Sequence, residues 1–330
     1  MGNFHLCAKG ARLLVRLIIA FGFSQLVLAH AGLSQAADIP KTGKDFSVTA
    51  NNDFRFVILG DRTGGHRPNV FRKAITQVNL LQPEFVIGVG DLIEGYTEDT
   101  KKLVQEWDQF DSMVQQLEAP FFYVAGNHDL SNQTMLELWR ERYGRDYYHF
   151  RYKNALFLIL NTEDPPIALP PEIMKKQQAL EAMMAEDPET TQQRILAASR
   201  LRNDAPKLPG NVAISKTQVS YFSEVLSNEK NVDWTFVIMH KPAWLYGNAE
   251  FSEIEEALGA RPYTVIAGHE HYYSYEKRND RDYLDIGTTG GVWLQDGDGR
   301  FDHITHITVK NGKPIIANIK LEGLFGVDLE

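Results

Sequence analysis

Five apolar segments of this 330-residue chain end in side chains that could bind a metal ion or transfer a proton. One such ending carries little information by itself, since Gly-Asp after a strand usually forms a turn or caps a helix. Five of them in one chain predict a shared site. The segments are RFVILGD (55–61), PEFVIGVGD (83–91), PFFYVAGNHD (120–129), VDWTFVIMH (232–240) and YTVIAGHEH (263–271).

The candidate metal ligands at these endings are two carboxylates, one amide oxygen and three imidazoles. This mixed oxygen and nitrogen set suits Mn, Fe or Zn, and it suffices for two divalent or trivalent ions if one carboxylate bridges them. Two metal ions about 3.5–4 Å apart activate water and stabilise oxyanion charge during in-line displacement at phosphorus. The predicted ligands are Asp61, Asp91, Asn127, His240, His269 and His271.

Residues beside these ligands suggest further roles in a reaction. His128 follows Asn127 and could protonate the leaving oxygen as a general acid. Asp129 could orient that imidazole, as carboxylates commonly do. Arg62 follows Asp61 directly, so its guanidinium could bind a substrate phosphate through two hydrogen bonds. A salt bridge at the rim of the site is the other interpretation of Arg62.

The sequence between these endings predicts the elements that position them. Apolar residues at helical spacing over 66–81 and 101–117 alternate with continuous apolar strands, which indicates a parallel sheet covered by helices. In an open α/β sheet the C-terminal strand ends line one edge, where ligands bind. Residues about two hundred positions apart in the chain are therefore expected to meet there.

A segment bounded by prolines, at about 165–210, interrupts the alternation of strands and helices. It opens with Pro165-Pro166, continues with charged sequence of helical character and closes with Pro209-Gly210. We expect a helical insertion, which either caps the site or forms an excursion on the surface.

The N-terminus has the pattern of an export signal, in which a positively charged region precedes an apolar stretch at 17–29 and small residues follow. Residues 1–36 are therefore predicted to be a cleaved signal peptide or an N-terminal membrane anchor. In both cases the domain at 37–330 is expected outside the cytosol, as a periplasmic or extracellular protein. The basic residues of the signal are Lys9, Arg12 and Arg16.

The charge of the chain argues against nucleic acid as a partner. The formal charge is −9, and it becomes −12 without residues 1–36, because that segment holds three basic residues and no acidic one. Binding of nucleic acid without sequence preference depends on Lys and Arg neutralising phosphates. The only cysteine, Cys7, lies in the predicted signal, which excludes a disulfide, a cysteine nucleophile and a cysteine zinc site from residues 37–330.

Taken in order, the five endings resemble the signature of the calcineurin-like metallophosphoesterases. The resemblance extends from about residue 54 to about residue 310 and identifies 37–330 as a metallophosphoesterase domain. It implies an α/β (α+β) fold with a two-sheet β-sandwich flanked by helices, which replaces the expectation of one parallel sheet. The matching motifs are GD at 60–61, GD at 90–91, GNHD at 126–129, MH at 239–240 and GHEH at 268–271.

The same resemblance implies a division of the ligands between two metals, with Asp91 bridging. The first metal is held by Asp61, Asp91 and His271. His128 is the acid or the group that stabilises the transition state. The second metal is held by Asp91, Asn127, His240 and His269.

The first motif departs from the family, which usually has Asp-x-His where this chain has Asp61-Arg62-Thr63. Purple acid phosphatases also lack that histidine but supply a tyrosine three residues after the second aspartate, where this chain has Glu94. Three interpretations remain. The first metal keeps three protein ligands plus solvent, which we favour; Glu94 or His66 completes the site; or the site is weak and the protein works with one metal.

The sequence thus predicts an exported metal-dependent phosphoric ester hydrolase that acts on phosphate mono- or diesters of small molecules or lipids. A membrane contact is expected only through the N-terminus. The alternative, motivated by Thr63, is a non-catalytic or mononuclear binding protein of the cell envelope with the same fold.

Replacing Thr63 by histidine tests whether the first metal lacks only a ligand. We expect Thr63→His to tighten binding of the first metal and to leave the second unchanged, because an imidazole adds one donor to the first set alone. Metal titration of the chelator-treated protein measures both affinities. An unchanged first affinity would show that position 63 does not face the metal.

Overall fold

Two β-sheets form the centre of the molecule, and helices cover their outer faces. The computed structural model describes residues 39–44, 52–200 and 211–324. The chain divides after Ile39 into two units, and the described residues from Pro40 onwards belong to the second. The predicted signal peptide or anchor at 1–36 lies outside the described residues. Within the described ranges, no helix is long and apolar enough to cross a membrane.

Strands and helices alternate along the first half of the described chain, and strands dominate its end. In chain order the elements are β1 (Phe54–Leu59), α1 (Val70–Leu81), β2 (Phe85–Gly88), α2 (Thr100–Val114), β3 (Phe121–Tyr123), α3 (Gln133–Tyr143), β4 (Tyr148–Tyr152), β5 (Ala155–Ile159), α4 (Pro171–Glu186), α5 (Pro188–Arg200), α6 (Lys216–Asn228), β6 (Trp234–Ile238), α7 (Ala249–Leu258), β7 (Tyr263–Ala267), β8 (Ser274–Arg278), β9 (Arg281–Asp285), β10 (His303–Lys310) and β11 (Lys313–Lys320).

The strands are divided between a five-stranded sheet, in the order β11-β10-β1-β2-β3, and a six-stranded sheet, in the order β4-β5-β6-β7-β9-β8. β1, β2 and β3 are parallel, as are β5, β6, β7 and β9. Antiparallel strands complete the edges of each sheet. A single parallel sheet is therefore wrong, because the β4–β5 hairpin begins a second sheet, and the two-sheet sandwich flanked by helices is confirmed.

Phenylalanine rings fill the space between the two sheets. Phe56 of β1 contacts Phe157 of β5 and Phe236 of β6, with ring centroids 5.2 and 5.0 Å apart. Phe122 of β3 stacks on Phe150 of β4 at 4.3 Å. Aromatic pairs of this kind contribute about 0.5–1.5 kcal/mol each beyond the area they bury. This packing holds the two sheets, and hence their strand ends, in a fixed relation.

The outer face of each sheet is buried under helices. Val57 of β1 shares a buried cluster with Trp107 of α2, and α1 and α3 extend that cluster over the five-stranded sheet. Leu158 of β5 shares a second cluster with Phe222 of α6 and Phe251 of α7. The alternation of continuous apolar strands with amphipathic helices follows from these layers, since both faces of the parallel strands are covered.

Local signals in the sequence agree with the observed boundaries. Ser215 caps α6 by accepting a hydrogen bond from the Gln218 amide at 3.2 Å. Asn311 and Gly312, with φ of 51° and 73°, form the turn of the β10–β11 hairpin, as expected for Asn-Gly. The segment predicted as a helical insertion contains α4 and α5, and its residues 201–210 lie outside the described ranges.

Burial of His303 predicts a loss of stability in acid. The ring lies beside Tyr273 and Phe301, and burial lowers the pKa of His303 to about 4. In the unfolded chain the imidazole of His303 is protonated below about pH 6.5, whereas in the folded protein it stays neutral down to about pH 4. From pH 7.5 to 4.5 this residue should lower the free energy of unfolding by about 2–3 kcal/mol.

We expect His303→Phe to reduce the pH dependence of stability by that amount, measured by urea unfolding at the two pH values. His306→Phe, on the same strand but only half-buried, is the matched control and should have a smaller effect. Equal pH dependence in the parent and in His303→Phe would contradict the assignment.

Candidate metal centre

The C-terminal ends of five strands bring the six predicted ligands to one edge of the sandwich. All but His269 are buried. Asp61, Asp91 and Asn127 follow strands of the five-stranded sheet, and the three histidines follow strands of the six-stranded sheet, so the site spans both sheets. Asp61 follows β1, Asp91 follows β2, Asn127 follows β3, His240 follows β6, and His269 and His271 follow β7.

Two groups of ligand atoms converge at this edge, and Asp91 belongs to both. The ligand atoms of Asp61, Asp91 and His271 lie within 4.8 Å of one another, and so do those of Asp91, His240 and His269. A carboxylate shared by two groups is the arrangement that a dinuclear centre requires.

Hydrogen bonds orient the first group. The Nε2 atom of His271 lies 3.1 Å from Oδ2 of Asp61, while its Nδ1 faces the carbonyl of Val292. The carboxylate of Asp61 also accepts the backbone amide of His269 at 3.0 Å. Because Nδ1 is held by a carbonyl, Nε2 of His271 is the nitrogen left for a cation.

In the second group, too, a backbone carbonyl fixes one ring nitrogen of a histidine and leaves the other facing the site. Nδ1 of His240 lies 3.0 Å from the carbonyl of Val89, so its Nε2 faces the site. That Nε2 atom is 3.2 Å from Oδ1 of Asp91, 2.9 Å from Oδ1 of Asn127 and 3.3 Å from Nδ1 of His269. Three potential metal-ligand atoms, each from a different residue, thus lie around Nε2 of His240.

Electrostatics in the site reflect crowding of carboxylates and imidazoles. Burial lowers the pKa of His240, but the carboxylate of Asp91 outweighs it and raises that pKa to about 9. Burial and the neighbouring His240 hold the pKa of His269 well below its usual value. Against the effect of burial, His240 and His128 lower the pKa of Asp91. The lowered pKa values of Asp91 and His269 favour an ionised carboxylate and a neutral imidazole, the forms in which these two groups bind a cation.

The donor set and spacing fit the metals that the sequence predicts. Ligands at right angles around one cation, each about 2.1 Å from it, lie about 3 Å apart. Separations of 2.9–3.3 Å around Nε2 of His240 match this value. Thr63 is fully buried, and its backbone amide donates to the carbonyl of Asp91 at 3.1 Å, so the first-motif loop lies against the second.

The backbone of the site is strained where the ligands stand. Asp91, His269 and His271 have φ of 50°, 78° and 50°. Such left-handed conformations cost roughly 1–3 kcal/mol for residues other than glycine and cluster at functional sites. Gly90, with φ of 104°, precedes Asp91, and a Cβ there would lie 2.7 Å from Nδ1 of His240. The glycine of the second motif is therefore required for the ring to approach.

Tyr96 orients the amide of Asn127 and was not identified as a site residue from the sequence. Its hydroxyl accepts a hydrogen bond from Nδ2 of Asn127 at 2.6 Å, which leaves Oδ1 facing His240. The Tyr96 ring also contacts His128 edge-on, with centroids 4.4 Å apart. No sequence signal identified it, because Tyr96 lies five residues after Asp91 and outside the motif.

His128, the predicted general acid, lies beside the shared carboxylate of Asp91. Its backbone amide donates to Oδ1 of Asp91 at 2.9 Å, and its Nε2 lies 3.9 Å from Oδ2 of the same residue. The ring is fixed through Nδ1, 2.8 Å from the carbonyl of Glu94. Nε2 is thus presented to the space beside the shared carboxylate.

The role predicted for Asp129 is wrong. Its carboxylate accepts the backbone amides of Leu92, Ile93 and Gly126 at 2.9, 3.2 and 2.8 Å, whereas the His128 ring is held by a carbonyl. Asp129 therefore ties the second-motif loop to the third-motif loop. The residue is needed for the shape of the site rather than for the orientation of the imidazole.

The structure also corrects the prediction for Arg62. Its side chain is buried and donates from Nη1 to the carbonyl of Leu92 at 2.8 Å. Burial lowers the pKa of Arg62, and the carboxylates of Glu94 and Glu106 oppose that effect. The guanidinium borders a small surface cavity that none of the six predicted ligands lines. Arg62 thus braces the second-motif loop instead of binding substrate at the metal edge.

Glu94 and His66, the two residues suggested as a further ligand of the first metal, contact each other instead. The carboxylate of Glu94 accepts the amides of Gly65 and His66 at 3.2 and 2.9 Å, and Nδ1 of His66 lies 3.1 Å from the same carboxylate. Neither side chain belongs to the converging groups. This arrangement favours three protein ligands for the first metal, with Glu94 holding the loop that carries Thr63.

α4 and α5 of the predicted insertion contact two loops of the site. Leu180 and Met184 lie against Gly65, where a Cβ would come within 3.4 Å of either side chain. The side-chain amide of Gln192 donates to and accepts from the backbone of Trp293, at 2.9 Å in both directions. The insertion is thus attached to two loops beside the metal ligands.

The chain belongs to the calcineurin-like phosphoesterases, because the sequence profile of that family matches residues 54–273. Within that class it is similar to an uncharacterized metallophosphoesterase, Cj0846, of Campylobacter jejuni, with 33% identity over 130 residues. It is also similar to the serine/threonine-protein phosphatase CPPED1 of Rattus norvegicus, with 31% identity over 106 residues. These matches cover 37% and 30% of this chain, and about a third of each relative.

Solved structures share the fold at low sequence identity. A dimetal phosphatase from Danio rerio superposes with a TM-score of 0.56 and 13% identity, over 82% of this chain and 97% of that chain. A purple acid phosphatase from yellow lupin gives a TM-score of 0.55 with 11% identity, over 83% of this chain and 52% of that chain. Identities this low support the two-sheet fold alone.

We expect Tyr96→Phe to weaken binding of the second metal by about 10–100-fold, because outer hydrogen-bond partners of ligands typically have effects of that size. Without the hydroxyl, the amide of Asn127 loses the contact that directs Oδ1 toward the site. Metal titration of the chelator-treated protein measures the change. Tyr143→Phe removes another tyrosine hydroxyl, bonded to Asp111, and serves as the control. Equal affinities in the two variants would refute the orienting role.

Proposed function

We propose that the protein is a metal-dependent phosphoric ester hydrolase with a dinuclear centre. The observation that carries this proposal is the position of Asp91, whose carboxylate belongs to both converging ligand groups and lies beside His128. Two bound cations would supply Lewis acidity that activates water and neutralises charge on phosphoryl oxygens. The donor set suits Mn, Fe or Zn.

Residues of the chain would bind the two cations and donate a proton to the leaving group. Asp61, Asp91 and His271 would hold one cation, and the second would be held by Asp91, Asn127, His240 and His269. His128, fixed through Nδ1, would donate a proton from Nε2 to the leaving oxygen as the phosphorus–oxygen bond breaks. Burial of the ligands keeps bulk water from competing for the charged groups.

Phosphate mono- or diesters of small molecules or lipids are the proposed substrates. The negative formal charge of the chain supports a substrate other than nucleic acid. Export to the periplasm or extracellular space is proposed from the charged, apolar and small residues of 1–36, which would also provide any membrane contact. Mass spectrometry of the protein purified from its native cell envelope would reveal whether the segment is cleaved.

The test combines metal quantification with hydrolysis. We expect the chelator-treated full chain to bind close to two equivalents of Mn, Fe or Zn and then to hydrolyse p-nitrophenyl phosphate or bis-p-nitrophenyl phosphate. His128→Ala should reduce kcat by about 10²–10⁴-fold, the usual range for a general acid, with unchanged metal content. His306→Ala, on β10, is the matched control.

Absence of both bound metal and metal-stimulated turnover would refute the hydrolase proposal. Full metal binding without turnover of any ester would favour the alternative, a non-catalytic binding protein with the same fold. One equivalent of metal with turnover would indicate a mononuclear enzyme in which Thr63 leaves the first site too weak.

A further inference from the structure

A cavity of about 200 Å³ opens beside the second ligand group. Asn127 and His269 form its metal side, and Tyr96 stands next to them. Ile167 and Leu169, from the segment that leads into α4, form an apolar wall. An ester whose phosphoryl group lies at the metal edge would have this cavity beside it, with apolar side chains of the insertion as one wall.

A buried ion pair lies at the other side of the cavity. Nζ of Lys241 is 2.8 Å from Oε1 and 2.9 Å from Oε2 of Glu163, and it donates to the carbonyl of Asn211 at 2.9 Å. The side chains of Lys241 and Glu163 are only 9% and 2% exposed. The three protons of the ammonium group thus have acceptors within the protein, and the pair has no net charge.

The Glu163–Lys241 ion pair affects which charged groups the cavity can bind. Of the described residues that line the cavity, Lys241 is the only lysine or arginine, and Glu163 already neutralises it. A second anionic group in the cavity would find no unpaired lysine or arginine among the described lining residues, and the carboxylate of Glu163 would repel it. Because the Glu163 carboxylate is buried, solvent screens its repulsion of a nearby anion only weakly.

We propose that the leaving group of the ester enters this cavity. The Glu163–Lys241 pair then makes the enzyme selective for phosphate esters of uncharged alcohols and excludes leaving groups that bear a second negative charge, such as phosphorylated sugars or diphosphates. This inference rests on the proposed hydrolase function, and it narrows the substrates to one chemical class. Glu163 and Lys241 act as specificity-determining residues, since they line the leaving-group cavity and are not among the predicted metal ligands.

Two phosphonates of matched shape test the inference without any turnover. 4-Carbamoylphenylphosphonate and 4-carboxyphenylphosphonate differ at the ring substituent by one charge, and neither has an ester bond to hydrolyse. We expect the full-length, Mn-loaded parent protein to bind the neutral compound at least tenfold more tightly, as measured by calorimetry. Equal affinities, tighter binding of the anionic compound or no binding of either would overturn the proposal.

Variants assign the selectivity to the ion pair. Glu163→Gln keeps the side-chain shape and frees the charge of Lys241, so it should shift the affinity ratio toward the anionic compound by at least tenfold. Adding Lys241→Met to Glu163→Gln should restore preference for the neutral compound. Glu181→Gln, which removes the ion-pair partner of Lys102 in the insertion, is the control and should leave the ratio unchanged.

An unchanged ratio in a folded Glu163→Gln protein would also refute the role of the pair. If that variant does not fold, the comparison of the two phosphonates on the parent still decides the selectivity. Failure of the hydrolase function would appear separately, as absence of p-nitrophenyl phosphate turnover by parent protein that binds the neutral phosphonate.

Discussion

The carboxylate of Asp91 is the group on which both halves of the site depend. It is buried, stands in a left-handed backbone conformation and contacts the His128 amide and the His240 ring. A buried carboxylate without partners is strongly unfavourable, so neighbouring loops must supply the imidazole and amide groups around it. Asp91 can follow β2 because the loops after β1, β3 and β6 lie beside it and supply those partners.

The packing between the two sheets therefore determines how far apart the candidate metal ligands lie. Asp61, Asp91 and Asn127 come from one sheet, whereas His240, His269 and His271 come from the other. The phenylalanine layer between the sheets sets their separation, and ligand atoms about 3 Å apart tolerate little movement of one sheet against the other. Changes in that layer are thus expected to affect metal binding.

Around the ligands, a second set of residues defines the shape and charge of the site. Glu94 holds the loop of Thr63, and Tyr96 holds the amide of Asn127. The insertion contributes an apolar wall, and the Glu163–Lys241 pair leaves the adjoining cavity without net charge. The candidate metal ligands thus adjoin a cavity that is partly lined by residues of the insertion.

The sequence by itself determined the ligand types and their meeting point, since apolar strands ending in Asp, Asn and His must bring those residues to one sheet edge. It also determined local features such as the Ser215 cap, because the cap depends on neighbours within one helical turn. Only the tertiary structure decided the directions of Arg62 and Asp129, which turn to backbone groups of another loop, and the pairing of Lys241 with Glu163, 78 positions away. Side-chain direction and long-range pairing depend on which loops lie adjacent in the folded chain, and strand periodicity carries no information about that.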